Sequence, residues 1–369
     1  MPFTEISKQQ QRQKLAYLVL EEGWPLARVC QKLGVSRPTG YRWVQRADEG
    51  GLQGLQEESR RPHHLGRFTP AEVQAQVQAL KEAHPSWGAK KLWAKLWPAG
   101  CAPVCVRTVD RLLARQGWTR PRGTESPAVG RFERGNCNEL RQMDFKGLAR
   151  GVGYQPLSVL DDHSRYCLGL VPLPHRSTEA IWGALWELFG AYGLPEAILS
   201  DNGECFNNNR SPTPTALEAR LWRLGIATPH GRARHPQTQG KVERFHQTLV
   251  LELGLALYQP SLEAARGVFD DYVHGYNWER PHEAVGLRVP GAVYQSSLRS
   301  RPAHLPAQEL APRALTRKVG DKGVIAYRGQ AYCAGRGLMG EQVEIRPEAE
   351  GEALYYAGVR IASLETLKV

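Results

Sequence analysis

Residues 141–173 read RQMDFKGLARGVGYQPLSVLDDHSRYCLGLVPL. Three short runs within them, RQMDF, PLSVLDD and RYCLGLVPL, are rich in strand-forming residues and separated by turn residues, which predicts three β-strands. The pattern then changes. A helix is predicted from about Ser177 to Ala191, followed by the strand AILS at 197–200 and a helix around Leu217 to Leu224. Long helices follow from about Thr238 and from Ser261. Strands first, then helices alternating with a strand, predict a mixed α/β sheet covered by helices.

Upstream the chain reads as helical. Leu15, Leu18, Val19 and Leu20 form a stripe in a helix from Lys8 to Glu22 that Gly23 ends, and a second helix from Pro25 stops at Gly34. A third starts at Ser36, a good N-cap, and runs through Tyr41, Trp43 and Val44, completing a helix-turn-helix pattern. Arg37, Thr39, Arg42 and Arg46 are expected to face phosphates and major-groove edges while Tyr41 and Val44 pack inward. GGLQGLQEESRRPHHLG reads as a linker. Thr69-Pro70-Ala71-Glu72 reads as a capping box with Pro at the first helical position. WGAKKLWAKLW and VRTVDRLLARQGW supply two more helices, hence a second helix-turn-helix or winged-helix-like module, with Arg107 and Arg111 as its DNA-facing cations.

Downstream, a Pro-rich connection precedes short β-like runs, GVIAYRG, AYCAG, EQVEIRP, ALYYAG and VRIASL, which predict a small barrel or sandwich. The expected organisation is a helix-turn-helix domain at 1–50, a linker at 51–68, and a second DNA-binding module at 69–122. A linker at 123–136, an α/β core at 137–296, a linker at 297–313 and a small β-barrel-like domain at 314–369 complete it.

The 369 residues suggest two or three domains at roughly 150 each. An apolar content of 41% with 10 Trp, 13 Tyr and 8 Phe excludes a wholly disordered or collagen-like chain. The longest apolar stretch, 249–258, is interrupted by Glu252 and is far shorter than the ~20 residues of a bilayer span. With a polar start and seven scattered cysteines, the expectation is a soluble cytoplasmic protein with no membrane partner. The net charge is +11, and residues 1–136 hold 22 basic against 12 acidic side chains, whereas 137–295 hold 15 against 17. A basic front end joined to a slightly acidic middle points to a nucleic-acid grip attached to a domain that keeps carboxylates for another purpose.

Three carboxylates stand out. Asp144 lies near the end of RQMDF, Asp201 opens the turn DNG after AILS, and Glu243 sits on the helix after HPQTQG. Carboxylate oxygens are hard ligands suited to Mg²⁺ or Mn²⁺, and a two-metal pair can activate an attacking oxygen while stabilising a leaving one. His246 and Gln247 follow Glu243 by three and four residues on the same helix face, with Lys241 and Arg244 flanking. Asp161 and Asp162 are a rival pair for which turn capping is the cheaper explanation. Cys101 and Cys105 with His63 and His64 do not match usual zinc spacing, and GVG at 151–153 lacks a dinucleotide loop's context.

RQMDF, SDNGECF, RHPQTQGKVERFHQTL and YNWERPHEAVGLRVP, in that order over about 137–295, resemble the integrase-core transposases of bacterial insertion sequences. The resemblance implies a ribonuclease-H-like core with a DDE triad at Asp144, Asp201 and Glu243, two Mg²⁺ or Mn²⁺ ions, and end recognition by the helix-turn-helix modules. It implies hydrolysis that frees a 3′-hydroxyl at each element end, and joining of that hydroxyl to target DNA. Double-stranded DNA and further copies of the chain, as a dimer or larger synaptic complex, are the implied partners, in a bacterial nucleoid-associated setting.

Arg280, within YNWERPH, is expected first in a polar clamp and second near phosphate. Two departures stand out. The 41 residues between Asp201 and Glu243 exceed the family's usual spacing, with the surplus expected in NNNRSPTPT. The position seven residues after Glu243, where many relatives carry Lys or Arg, is Val250. The alternative reading is a catalytically inactive DNA-binding protein derived from such a transposase.

Overall fold

In the computed structural model of the chain, the described residues are 7–57, 69–98, 102–119, 133–149, 151–201, 203, 206, 211–229 and 240–369. The chain divides into two compact units, 1–68 and 69–369.

The first unit is a three-helix module: α1 (Lys8–Leu20), α2 (Leu26–Leu33) and α3 (Arg37–Gly54). Ser7 caps α1 in a reciprocal box with Gln10, and Gly34 closes α2 in the left-handed conformation at φ 67°. Leu15, Val29, Cys30, Trp43, Ala47 and Leu55 form its core. A Cβ at Gly40 would collide with Cys30 Sγ, so the glycine is what lets α3 lie against α2. Two expectations are corrected here. Tyr41 is 67% exposed and Trp43, at 8%, is the inward aromatic, because the buried stripe of α3 runs through Gly40, Trp43 and Ala47. The helical segment also continues across a break at Gly51, and Leu55 is buried, so the first part of the expected linker belongs to this module. Residues 58–68 of that linker, with His63 and His64, lie outside the described residues.

The second unit opens with α4 (Ala71–Ala83), α5 (Ala89–Leu96) and α6 (Val106–Arg115), packed around Val77, Trp87, Leu92, Val109 and Leu113. The Thr69 capping box is not formed. Pro70 is the N-cap without a side-chain hydrogen bond, and the Thr69 carbonyl instead accepts the Gln74 side-chain amide at 2.8 Å. Cys101 and residues 120–132, most of the second expected linker, lie outside the described residues.

The central sheet has the order β3-β2-β1-β4, with β1 (Arg141–Phe145), β2 (Gln155–Asp161), β3 (Cys167–Leu173) and β4 (Ile198–Ser200). β2 is antiparallel to both neighbours, β4 is parallel to β1, and a single parallel bridge from Ala197 to Ala227 extends the sheet beyond β4. α7 (Thr178–Tyr192) and α8 (Ala216–Arg223) cover one face around Met143, Leu157, Val159, Ile181, Leu185 and Leu221. α9 (Gly240–Leu253) and α10 (Leu262–Trp278) cover the other, where Leu160, Cys167 and Leu170 meet Val242, Phe245, Leu249 and Phe269. Burying a large aliphatic or aromatic side chain contributes about 2 kcal/mol. Burial on both faces explains why the strands read as continuous apolar runs rather than alternating ones. This is the mixed sheet covered by helices that the order of strands and helices predicted.

The C-terminal strands are β5 (Leu315–Lys318), β6 (Val324–Tyr327), β7 (Gln330–Cys333), β8 (Gln342–Glu348), β9 (Gly351–Tyr356) and β10 (Val359–Ser363). They form an open antiparallel sheet in the order β10-β9-β8-β5 beside a β6-β7 hairpin. The expected barrel is not closed: β5 and β10 remain edges of the four-stranded sheet. β5 was absent from the expected strands because its residues, LTRK, are mostly polar and half-buried or exposed.

This sheet packs on α8, with Ala219 in its core and Arg223 paired to Glu341 at 3.3 Å. The preceding connection is partly held on the core too: the Arg299 guanidinium donates to the carbonyls of Pro195 and Leu224, and that of Arg301 to the carbonyl of Trp186.

Candidate active site

Asp144 is the fourth residue of β1 and the first in that strand whose side chain is not fully buried. Parallel pairing of β1 with β4 sets Met143 opposite Ser200, so one step further Asp144 and Asp201 stand side by side at the carboxyl ends of the two strands. Asp201 closes a turn by accepting the backbone N–H of Gly203 at 2.9 Å. Asp144 accepts the backbone N–H of Phe145 at 2.7 Å. Burial, then the neighbouring charge of Asp201 with a smaller contribution from Glu243, pushes the Asp144 carboxyl up to about 6. The three expected carboxylates therefore share one electrostatic corner.

Glu243 lies on the exposed side of the first turn of α9, and a buried polar network fixes that turn. The Gln142 side chain accepts the Val242 backbone N–H at 3.3 Å and donates to Asp162 Oδ1 at 2.8 Å. Lys241 pairs with the same Asp162 oxygen at 2.5 Å, and Arg134 donates its backbone N–H to the other. Asp161 accepts from the backbone of Asn138 and from the backbone and hydroxyl of Ser164. Asp161 thus caps its own turn, as expected, whereas Asp162 is bonded to Gln142, Lys241 and Arg134, which are distant in the chain.

Three residues named for DNA contact turn toward the protein, Arg280 in the polar clamp expected for it first. His246 is buried, with Nε2 2.9 Å from Ser158 Oγ and Nδ1 3.8 Å from Asp144 Oδ2, so it ties α9 to β2 and β1. Its burial and the nearby Lys146 charge hold its pKa down to about 4, which keeps the ring neutral at neutral pH. The buried Arg280 guanidinium pairs with Glu252 at 3.0 Å and lies over Tyr276. Lys241 is half-buried against Asp162. For His246 and Lys241 the helix face chosen from spacing turns toward the protein, Arg280 lies just beyond the end of α10, and in all three burial leaves the charge or ring with a protein partner.

Arg244 and Gln247 are exposed and bonded to each other at 3.2 Å. Arg107 and Arg111 are exposed on α6, and Arg37 and Arg42 on α3. Thr39 bonds the Ser36 hydroxyl, and Arg46 lies over Trp43 and donates to the Gln56 carbonyl. Val250 is 44% exposed. Asn277 clamps α10 to β3 through paired hydrogen bonds to the backbone N–H and carbonyl of Cys167.

Sequence reasoning missed Gln142, Ser158, Lys146 and Arg176. The first two are fully buried polar residues inside predicted strands, and that placement was the available signal. An all-oxygen donor set carrying mutual charge repulsion fits a hard divalent cation. Among the described residues no three His, Cys, Asp or Glu side chains are grouped closely enough to hold one ion together. Residues 202, 204–205, 207–210 and 230–239, which adjoin Asp201 and precede α9, are outside the described set. They include part of the surplus loop and the segment RHPQTQ.

Comparison with known proteins gives two kinds of domain. Models of homeodomain-like domains match residues 7–56 and 39–113, and models of the integrase core domain match 136–236 and 224–290. The ORF3 product of Spiroplasma virus SpV1-C74, named for an integrase, is 25% identical over 210 residues, covering 51% of this chain and 57% of that protein. The Gag-Pol polyprotein of feline leukemia virus is 29% identical over 110 residues, covering 29% of this chain and 6% of the polyprotein. The chain therefore spans little more than half of the first relative and a small part of the second. Among solved structures, the catalytic core of BIV integrase is 24% identical, covering 42% of this chain and 93% of that one, with a TM-score of 0.33. The catalytic core of HTLV-2 integrase in complex with magnesium is 14% identical, covering 44% and 99%, with a TM-score of 0.34.

Proposed function

We propose that this chain, which carries an integrase core behind homeodomain-like domains, acts as a DDE transposase on the terminal inverted repeats of a mobile element. The observation that carries the reading is the placement of Asp144 and Asp201 side by side on parallel strands, with Glu243 in electrostatic reach on α9. The helix-turn-helix modules, 1–50 and 69–122 in the sequence division, bind the element ends through the exposed Arg37, Arg42, Arg107 and Arg111. The core at 137–296 does the chemistry, and the β module at 314–369 adds DNA or subunit contacts. Two ends must be joined together, so the working form is a dimer or larger synaptic complex. No described helix is long and apolar enough to cross a membrane, and the reading places the protein with bacterial DNA in the cytoplasm.

Asp144, Asp201 and Glu243 would hold two Mg²⁺ or Mn²⁺ ions, which when bound supply activation of the attacking oxygen and stabilisation of the leaving one. The chain's own work is positional. The Gln142–Asp162–Lys241 network fixes the turn that presents Glu243, and His246 ties that helix to the strand of Asp144. In the first reaction water attacks the phosphodiester at an element end, forming one P–O bond and breaking another to release a 3′-hydroxyl. In the second that hydroxyl attacks a target phosphodiester, and the displaced target 3′-oxygen takes a proton.

A DNA-binding protein with an inactive core is the rival, favoured by the absence of a three-residue metal group among the described residues. A strand-transfer assay with Mg²⁺ or Mn²⁺ decides between them, using DNA from the flanks of the encoding gene. Joined products from wild type but not from Glu243→Gln or Asp144→Ala are expected. Salt-sensitive binding without any metal-dependent product would overturn the transposase reading in favour of the rival.

A further inference from the structure

The cations that spacing placed beside the carboxylates are largely neutralised within the protein: Lys241 by Asp162 and Arg280 by Glu252. Arg244, exposed beside Glu243, bonds Gln247 rather than an acid, and a DNA strand brought to Asp144 calls for further positive charge because the corner itself holds three acids. Two cations near Asp144 form no ion pair with an acid among the described residues. They are Lys146, two residues beyond it in sequence, and Arg176, in the turn after β3.

Both are held in place by uncharged neighbours. The exposed Arg176 guanidinium lies over the Phe145 ring at 4.9 Å and donates one hydrogen bond to Gln155 Oε1 at 3.1 Å. Phe145 is itself buried and stacked on Phe206 with ring centroids 5.6 Å apart, so the ring under the guanidinium is packed from below. That leaves most of the planar N–H fork open, the geometry that binds phosphate oxygens bidentately. Lys146 is fixed at its backbone, whose N–H donates to the Pro156 carbonyl at 2.9 Å at the end of the sheet where Gln155 holds Arg176, and its side chain is half-buried. Lys146 follows Asp144 by two residues at the carboxyl end of β1, and Arg176 covers the ring of Phe145, the residue between them.

We propose that Arg176 and Lys146 form a phosphate-binding site that grips the backbone of the DNA strand presented to Asp144, independently of base sequence. The proposal rests on the transposase reading for the identity of the strand. It moves the grip from the α9–α10 side of the carboxylates to the β1–β3 side.

The test uses the full chain and a fluorescein-labelled duplex taken from the flank of the encoding gene, with binding followed by anisotropy across a salt series. Each lost phosphate contact lowers the slope of log binding constant against log salt by about 0.9. Arg176→Gln and Lys146→Gln should each lower it by about one, the double variant by about two, and Arg176→Lys should keep most of the slope. Melting temperatures within a degree or so of wild type are expected for all four, since neither side chain is in a core.

If wild type joins ends and the double variant matches it in both slope and joining yield, the phosphate site is refuted and the transposase reading stands. If wild type joins nothing but the double variant still loses the slope, the site stands as a DNA-backbone grip and the transposase reading falls. Should one variant misfold, the other alone carries the same slope criterion.

Discussion

His246 on α9 bridges to Asp144 on β1, with Nδ1 3.8 Å from the carboxylate and Nε2 2.9 Å from the Ser158 hydroxyl on β2. The residue three places after Glu243 therefore couples the helix that presents one acid to the strand that presents another. At neutral pH the coupling is made by a neutral ring, because burial holds the imidazole pKa down to about 4.

Replacing His246 with Leu fills the volume but leaves the buried Ser158 hydroxyl without its partner, at a cost of about 1–3 kcal/mol. A lower melting temperature and weaker Mn²⁺ binding by the full chain are expected, with His246→Gln recovering part of both. Unchanged Mn²⁺ affinity in His246→Leu, read by calorimetry, would reduce His246 to a packing residue.

Asp144 behaves oppositely to an ordinary stabilising acid. Its folded pKa of about 6 lies above the ordinary 3.8, so the folded state favours the protonated form. Its cost is absent below about pH 3.8, grows between there and 6, and is complete above 6. In metal-free buffer at pH 7.5, Asp144→Asn should stabilise the protein by on the order of 2–3 kcal/mol, a rise of several degrees in melting temperature. The gain should shrink as pH falls below 6. A variant less stable than wild type at pH 7.5 would contradict the cost of burying the charged carboxylate beside Asp201.

Asp162 separates structure from chemistry. Removing its carboxylate takes one partner from each of Lys241, the Gln142 amide and the Arg134 N–H, and breaking a buried pair costs about 3–5 kcal/mol. Asp162→Ala should therefore melt well below wild type, whereas Glu243→Gln, on the exposed side of α9, should melt near it. Chemical denaturation of the two variants side by side reads the contrast, and equal stabilities would argue against the network.

His282 sets an acid limit. The ring is buried against Tyr276 with Nε2 unpaired, and burial, helped by Arg280, lowers its pKa to about 3. The unfolded chain takes up this proton below about 6.5 and the folded chain does not. Stability should thus fall as pH drops from 6.5 toward 3. His282→Phe should flatten that part of the profile, measured as melting temperature against pH, and an unchanged slope would show that other groups dominate it.

The elements of the core were legible because their signals are local. RQMDF, AILS and the segment after HPQTQG mark two strand ends and a helix face by composition and period, and their order on the chain matched a known arrangement. The inward face of α3 was misassigned at Tyr41 because Tyr and Trp are both apolar and the helical stripe turned on Gly40, whose packing against Cys30 is a contact between helices. The Thr69 box failed because a side-chain cap competes with alternatives that only the folded neighbourhood selects.

By itself, the sequence determined which residue types could form a site: three acids placed where strands and a helix would present them, behind a basic helical front end. The tertiary structure alone decided which cations remain available. Lys241 and Arg280 meet Asp162 and Glu252 across 79 and 28 residues of chain, while Arg176 and Lys146 form no ion pair among the described residues. The physical reason is that periodicity fixes which way a side chain faces within its own element, whereas the partner that neutralises its charge is set by the packing of one element on another.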